Sequence, residues 1–325
     1  MSRNALCGCG SGKKLKHCCG SYRDEITTDS DISDADLMRA LQAADDEQLA
    51  AGRNPAVRSI FNVPKALEHF GIHAILMGRG TPPIVKRAER LNSQLFCPRD
   101  LQVGGLHLGA FLFRDMFCQL YAPVAFGRTA IDLLKLLDLN DTQKAWLASV
   151  PEDFARFQDQ ALDIIDFGNG WRDFGHGRQV DPRGKDLIWR AHAQLEAAAA
   201  TAIYAFGETG TLQNAILGTE LALKAGLAAS GRSNKELQDV GHNLRRAAEQ
   251  LGAFVSSFDT DRVVRVVSAF PPYVQSRYFG PTPSNLELGQ ILMGAQYVAS
   301  EVTRQFSDRD LRASNGSTSA RAYPA

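Results

Sequence analysis

Apolar side chains recur at helical spacing along most of this chain, and the pattern is strongest in its second half. Residues 187–206, 212–229, 235–252, 260–278 and 285–306 carry aliphatic or aromatic positions three and four apart, which gives a helix one continuous apolar face. Gly, Pro, Ser or Asn bound each segment, so the helices are separated by short breaks. Such a run predicts a helical bundle. From Pro55 to about Arg183 the same spacing recurs at 61–70, 106–121, 129–137 and 153–167, with a short extended piece expected near 72–77. Before that, an acidic tract low in aromatics runs from Asp24 to Asn54 and reads as a solvated linker. Ser33 ahead of Asp34 and Asp36 predicts a capped helix within it at 34–50. The tail from Ser307 is polar and aperiodic and is expected to be disordered. The fold class is therefore mainly α. Expected boundaries are 1–22 for a small N-terminal module, 23–54 for the acidic linker, 55–185 for a mostly helical domain, 186–306 for the bundle and 307–325 for the tail.

Composition narrows the function classes. The 325 residues hold 36 basic and 36 acidic side chains, so no whole-molecule field draws the chain to nucleic acid or anionic membrane, and a charged partner has to meet a local patch. The N-terminal residues include no apolar core for a secretory signal. No apolar run approaches the roughly 18–20 residues of a membrane span; the nearest, 195–206, is interrupted by Glu196. A cytoplasmic protein with reduced cysteines is the expectation.

Four of the six cysteines fall in the string CGCGSGKKLKHCC. In a reducing compartment such crowding points to metal. Cys7 and Cys9 on one tight turn, with Cys18 and Cys19 across a short loop, can close a tetrahedron of thiolates around Zn²⁺; His17 is the alternative to Cys19. Without metal, so polar a segment has no core to fold around. Lys13, Lys14 and Lys16 offset the negative charge of the thiolates and offer a phosphate-binding face. The stretch from Arg3 to Ser21 resembles the SEC-C motif, the zinc-binding segment found at the C-terminus of the translocase ATPase SecA and attached to many unrelated proteins. It departs from the usual pattern at Leu6 and Gly8, where Pro is common, and at Cys19, where His is common; four ligands remain. The resemblance implies Cys7, Cys9, Cys18 and Cys19 as ligands and a protein, ribosomal or RNA partner for the basic module.

In the bundle, TELALKAGLAASG, then Gly241-His242-Asn243, then Arg277-Tyr278 before a proline turn and the last helix resemble the order of elements in a HEPN domain. That resemblance implies a helical bundle able to form a homodimer and, in many members, a ribonuclease in which an Arg holds phosphate while a His four to six residues on moves a proton. Arg265 and Arg277 have no His at that spacing, so the resemblance implies fold more than activity, and His242 is expected to pack at a helix start and bond backbone. The glycine-rich stretch 166–186 contributes Trp171, Arg172, His176, Arg178 and Arg183, a mixture able to stack a base and hold phosphate. The catalytic candidates are His176, Arg178, His242 and Arg277. Cys97 and Cys118 read as small buried hydrophobes. The leading expectation is a zinc-binding adaptor that docks a helical body on a protein or ribonucleoprotein; the alternative is a HEPN-type ribonuclease or toxin, with phage defence one setting for it.

Overall fold

The computed structural model describes residues 13–14, 32–73, 81–97, 106–123, 130–205, 207–273, 283–314 and 320–324. It divides into two units, Met1–Val103 and Gly104–Ala325. Among the described residues it is mainly helical, with one two-stranded sheet.

The first unit is built on α1 (Asp34–Ala50), α2 (Pro55–Glu68) and α3 (Pro83–Asn92). Ser33 caps α1 by accepting a hydrogen bond from the Asp36 amide, as its sequence predicts. Leu37, Leu41 and Ala44 of α1 are buried with Val63, Ala66 and Leu67 of α2 and Ile84, Val85, Ala88 and Leu91 of α3. From Asp34 onward the acidic tract is therefore a packed helix and not a solvated linker. Two of its acids pair with cations of α2 and α3, the part-buried Asp45 with Arg58 at 2.9 Å and the exposed Asp34 with Arg87 at 2.7 Å. The extended piece expected at 72–77 is not a strand at 72–73, and its remainder lies outside the described residues.

In the second unit the segment 106–121, read as helical, is instead a hairpin: β1 (His107–Phe113) pairs antiparallel with β2 (Met116–Ala122) through a two-residue turn with Arg114 at φ 59°. Five consecutive residues, from Gly109 to Phe113, are buried. A strand covered on both faces shows no alternation, so its apolar run mimics a helix face. Side chains cover both edges of the hairpin. On β1, the Leu108 amide donates to Glu196 Oε1 at 2.9 Å, and the Gln296 carboxamide accepts from the Ala110 amide and donates to its carbonyl, both at 2.8 Å. On β2, the Gln119 amide donates to Asp138 at 2.8 Å.

Around the hairpin pack α4 (Asp141–Ser149), α5 (Pro151–Asp173), α6 (Pro182–Ala200), a π-turn at Thr201–Ala205, α7 (Glu208–Ala229), α8 (Asn234–Val240), α9 (Leu244–Phe254), α10 (Thr260–Ser268), α11 (Asn285–Phe306) and the short α12 (Leu311–Ser314). The expected helix at 235–252 is broken at Gly241, which holds a positive φ at the end of α8. The one at 260–278 stops before Pro271, and 129–137 is described only as a single 3₁₀ turn, Leu133–Leu136. The bundle does not begin at residue 186: α5 packs on α11 and on both strands, in the same unit as α6 and α7. Ala198, Ala199 and Ala202 are buried in the core of this unit, whereas Ala205 at the end of the π-turn is exposed.

One face of α5 presents Asp159, Asp163 and Asp166, spaced four and three residues apart and all buried. Arg304 of α11 binds Asp163 and, at 2.8 Å, Asp166; Arg312 binds Asp159; Arg321 binds Asp163. The Ala322 and Tyr323 amides add hydrogen bonds to Asp159 at 2.6 and 3.1 Å, and the buried Tyr323 hydroxyl donates to the Gln290 carbonyl at 2.9 Å. The tail expected to be disordered thus supplies, at 307–314 and 320–324, counter-charges to the core. Removing one partner of a buried ion pair strands the other, at a cost of about 3–5 kcal/mol, whereas exposed pairs contribute about 1 kcal/mol or less. Urea denaturation should accordingly find Arg304→Met destabilised by about 3–5 kcal/mol, and Arg309→Ala, which loses only the half-exposed pair with Asp173, by about 1 kcal/mol or less.

Candidate functional site

Cys7, Cys9, Cys18, Cys19, Lys16 and Arg277 lie outside the described residues; Lys13 and Lys14 are exposed. The stretch 166–186 is not a loop throughout: residues up to Asp173 complete α5, and α6 begins at Pro182. The turn between them bends at Gly175 and Gly177, both with positive φ, and its Phe174 ring packs on Phe306 at 5.3 Å. His176 and Arg178 are exposed on this turn. Arg178 donates to the Gln305 carbonyl and, at 3.4 Å, to Asp308, so it ties the turn to the end of α11. Of the lone cysteines, Cys118 is buried as expected and Cys97 is exposed.

His242 follows Gly241 in the break between α8 and α9. Its ring bonds a carboxylate and not the backbone: Nδ1 lies 2.8 Å from Glu220 Oε2, and the imidazole is half-exposed while Glu220 is buried. The other Glu220 oxygen accepts from Lys224 at 2.7 Å, one helical turn along α7.

The structure also assembles a group that no spacing in the sequence predicted. His107 opens β1, and His192 and Glu196 stand one turn apart on α6; among the described residues these three bring imidazole and carboxylate donor atoms within 4.8 Å of one another. His107 is fully buried, and neither of its ring nitrogens has a hydrogen-bond partner among the described residues. Its Nδ1 is 3.8 Å from Glu196 Oε1, and His192 Nε2 is 3.6 Å from the same oxygen. His192 Nε2 also lies 3.1 Å from the Leu106 carbonyl, which accepts from the Trp171 indole at 3.4 Å. Phe167 packs edge-on against His107 at 4.9 Å, and Trp171 lies on His192 at 4.4 Å. The close approach of α5 depends on Gly168, where a Cβ would stand 2.3 Å from Ala122 Cβ and 2.9 Å from His107 Cβ. The readable half of this signal is the four-residue step from His192 to Glu196; the third member comes from a different element, 85 positions upstream, where the residues had been read as helical.

Burial holds the His107 imidazole well below its usual range, and the neighbouring His192 adds to the effect. His192 is lowered by burial, against the opposing pull of Glu196 and the Leu106 carbonyl. Both rings therefore resist a proton that the unfolded chain accepts, so their contribution to stability is fully present above about pH 6.5 and is lost as pH falls from there toward the depressed folded-state values. Unfolding free energies from urea denaturation in chelator, followed from pH 8 to pH 5, should drop below about pH 6.5, with a slope of up to about 1.4 kcal/mol per pH unit for each imidazole; His192→Gln should flatten part of it.

Residues 3–21 match the SEC-C motif, a metal-binding type. No curated protein and no solved structure matches the chain. No described helix is long and apolar enough to cross a membrane. The chain thus carries a metal-binding motif at its N-terminal end, ahead of a mainly helical body.

Proposed function

We propose that the chain is a zinc-dependent adaptor in which the SEC-C segment recognises a protein or ribonucleoprotein partner and the helical body is the cargo it delivers. The observation that carries this reading is the match at residues 3–21, with four cysteines and three lysines inside it. The donor chemistry fits the ion: four thiols in two close pairs are the ligand set that structural Zn²⁺ sites use. Cys7, Cys9, Cys18 and Cys19 would hold the metal, which when bound supplies the folding free energy that so polar a segment lacks. Lys13, Lys14 and Lys16 then form a cationic edge suited to phosphate or acidic side chains. The cytoplasm, where thiols stay reduced, is the compartment this chemistry favours.

A ribonuclease of the HEPN type is the second reading, and one contact favours it. The buried Glu220 carboxylate orients the half-exposed His242 ring, the relation a general base needs.

Capture from lysate with the full chain should return a partner set that Cys18→Ser with Cys19→Ser abolishes. Lys13→Glu, Lys14→Glu and Lys16→Glu together should weaken the same set while zinc content stays constant. Partners retained by both variants would refute docking through this segment. On total RNA, the second reading expects cleavage by the wild type and none by His242→Ala; intact RNA in both removes it.

A further inference from the structure

Hydrogen bonding leaves His107 unexplained. A neutral imidazole carries one N–H donor and one acceptor whichever tautomer it adopts, and leaving such groups buried and unpaired costs about 1–3 kcal/mol each. Most buried histidines avoid this by bonding a carbonyl or carboxylate. Here the ring is fully enclosed, and the carboxylate facing Nδ1 stands at 3.8 Å, outside hydrogen-bond range. The second imidazole approaches the same Glu196 oxygen at 3.6 Å, again too far for a hydrogen bond. These spacings are close to those of donors that share a cation. Bonds of about 2.0–2.2 Å at tetrahedral angles put neighbouring ligand atoms roughly 3.3 Å apart, so contraction by a few tenths of an ångström seats an ion between them.

We propose that His107, His192 and Glu196 form a second, thiolate-free metal site that binds a divalent first-row transition ion in the helical body. Two imidazoles and a carboxylate suit Zn²⁺, Fe²⁺, Co²⁺ or Mn²⁺ and exclude an all-oxygen calcium site. The Leu106 carbonyl, 3.1 Å from His192 Nε2, is a fourth donor within reach. When His192 Nε2 turns its lone pair to the ion, that carbonyl keeps the Trp171 indole as its donor. The Leu108 amide already holds Glu196 Oε1 at 2.9 Å, which fixes the carboxylate as an outer partner fixes a ligand. Phe167 and Trp171 confine the two rings. Glu196, about a third exposed, provides the way in from solvent. The site stands independently of the cysteine module, since it shares no ligand with it and lies in the unit Gly104–Ala325.

Titration of the metal-free, reduced full-length chain with Co²⁺ tests this directly, because thiolate and nitrogen–oxygen sites differ in colour. Two equivalents should bind, one with intense thiolate-to-cobalt charge-transfer absorption and one with only weak visible bands. Glu196→Gln preserves the side-chain shape and an acceptor for the Leu108 amide; it should weaken the second equivalent by at least about tenfold and leave the first unchanged. His192→Ala should do the same. Serine at all four SEC-C cysteines should remove the first equivalent and keep the second. A single equivalent, carrying the thiolate signature and indifferent to Glu196→Gln and His192→Ala, would overturn the proposal while leaving the adaptor reading intact. Weak bands that persist undiminished in both variants, both folded by circular dichroism, would overturn it as well.

Discussion

The second unit depends on charge neutralisation inside its core. Asp159, Asp163 and Asp166 bring three carboxylates into a buried face of α5, where a bare charge cannot remain. Arg304 answers from α11, and Arg312 and Arg321 answer from the polar tail. The arrangement sets the position of α5, because guanidinium groups bonded to carboxylates on successive turns leave it little freedom to slide or rotate. It also explains why the described residues of a segment with no apolar periodicity pack on the body: their fixed points are ionic and backbone hydrogen bonds, reinforced by the buried ring of Tyr323.

The position of α5 in turn shapes the His107 neighbourhood. While one face of α5 is held by arginines, another brings Phe167, Gly168 and Trp171 against the start of β1 and the middle of α6. Gly168 permits contact distances that any side chain would prevent, and the result is a closed aromatic and imidazole cluster open to solvent along Glu196. The same glutamate has a structural duty, since it satisfies an amide on the free edge of β1 as Gln296 does two residues further on. A two-stranded hairpin is marginal alone and exposes reactive edges; side chains from α6, α11 and the β2–α4 connection occupy those edges here. Glu196 thereby links the stability of the hairpin to the proposed second metal site.

Two kinds of metal chemistry are thus proposed for different parts of one chain on different grounds. At the N-terminal end residues 3–21 match a metal-binding motif, and four cysteines fall within that one short string. In the body the proposed site rests on tertiary contacts: an enclosed imidazole with no hydrogen-bond partner among the described residues, and a carboxylate 3.8 Å away, beyond hydrogen-bonding range.

What the sequence alone determined follows the same division. The 34–50 helix with its Ser33 cap, the helical character of the second half and the cysteine string are each specified by residues close together in the chain: side chains that bond the nearest backbone, apolar positions repeating every turn, cysteines crowded into one short string. The hairpin was lost to view because burial on both faces erased its alternation. The acid row of α5, written in the alphabet of a solvated face, became core only because arginines 138 to 158 residues away reached it. His107, His192 and Glu196 converge for a related reason: the pairing of β1 against α6 is decided by packing and by an unsatisfied edge amide, interactions whose partners are far apart in the chain. Those long-range pairings, and the site they create, belong to the tertiary structure.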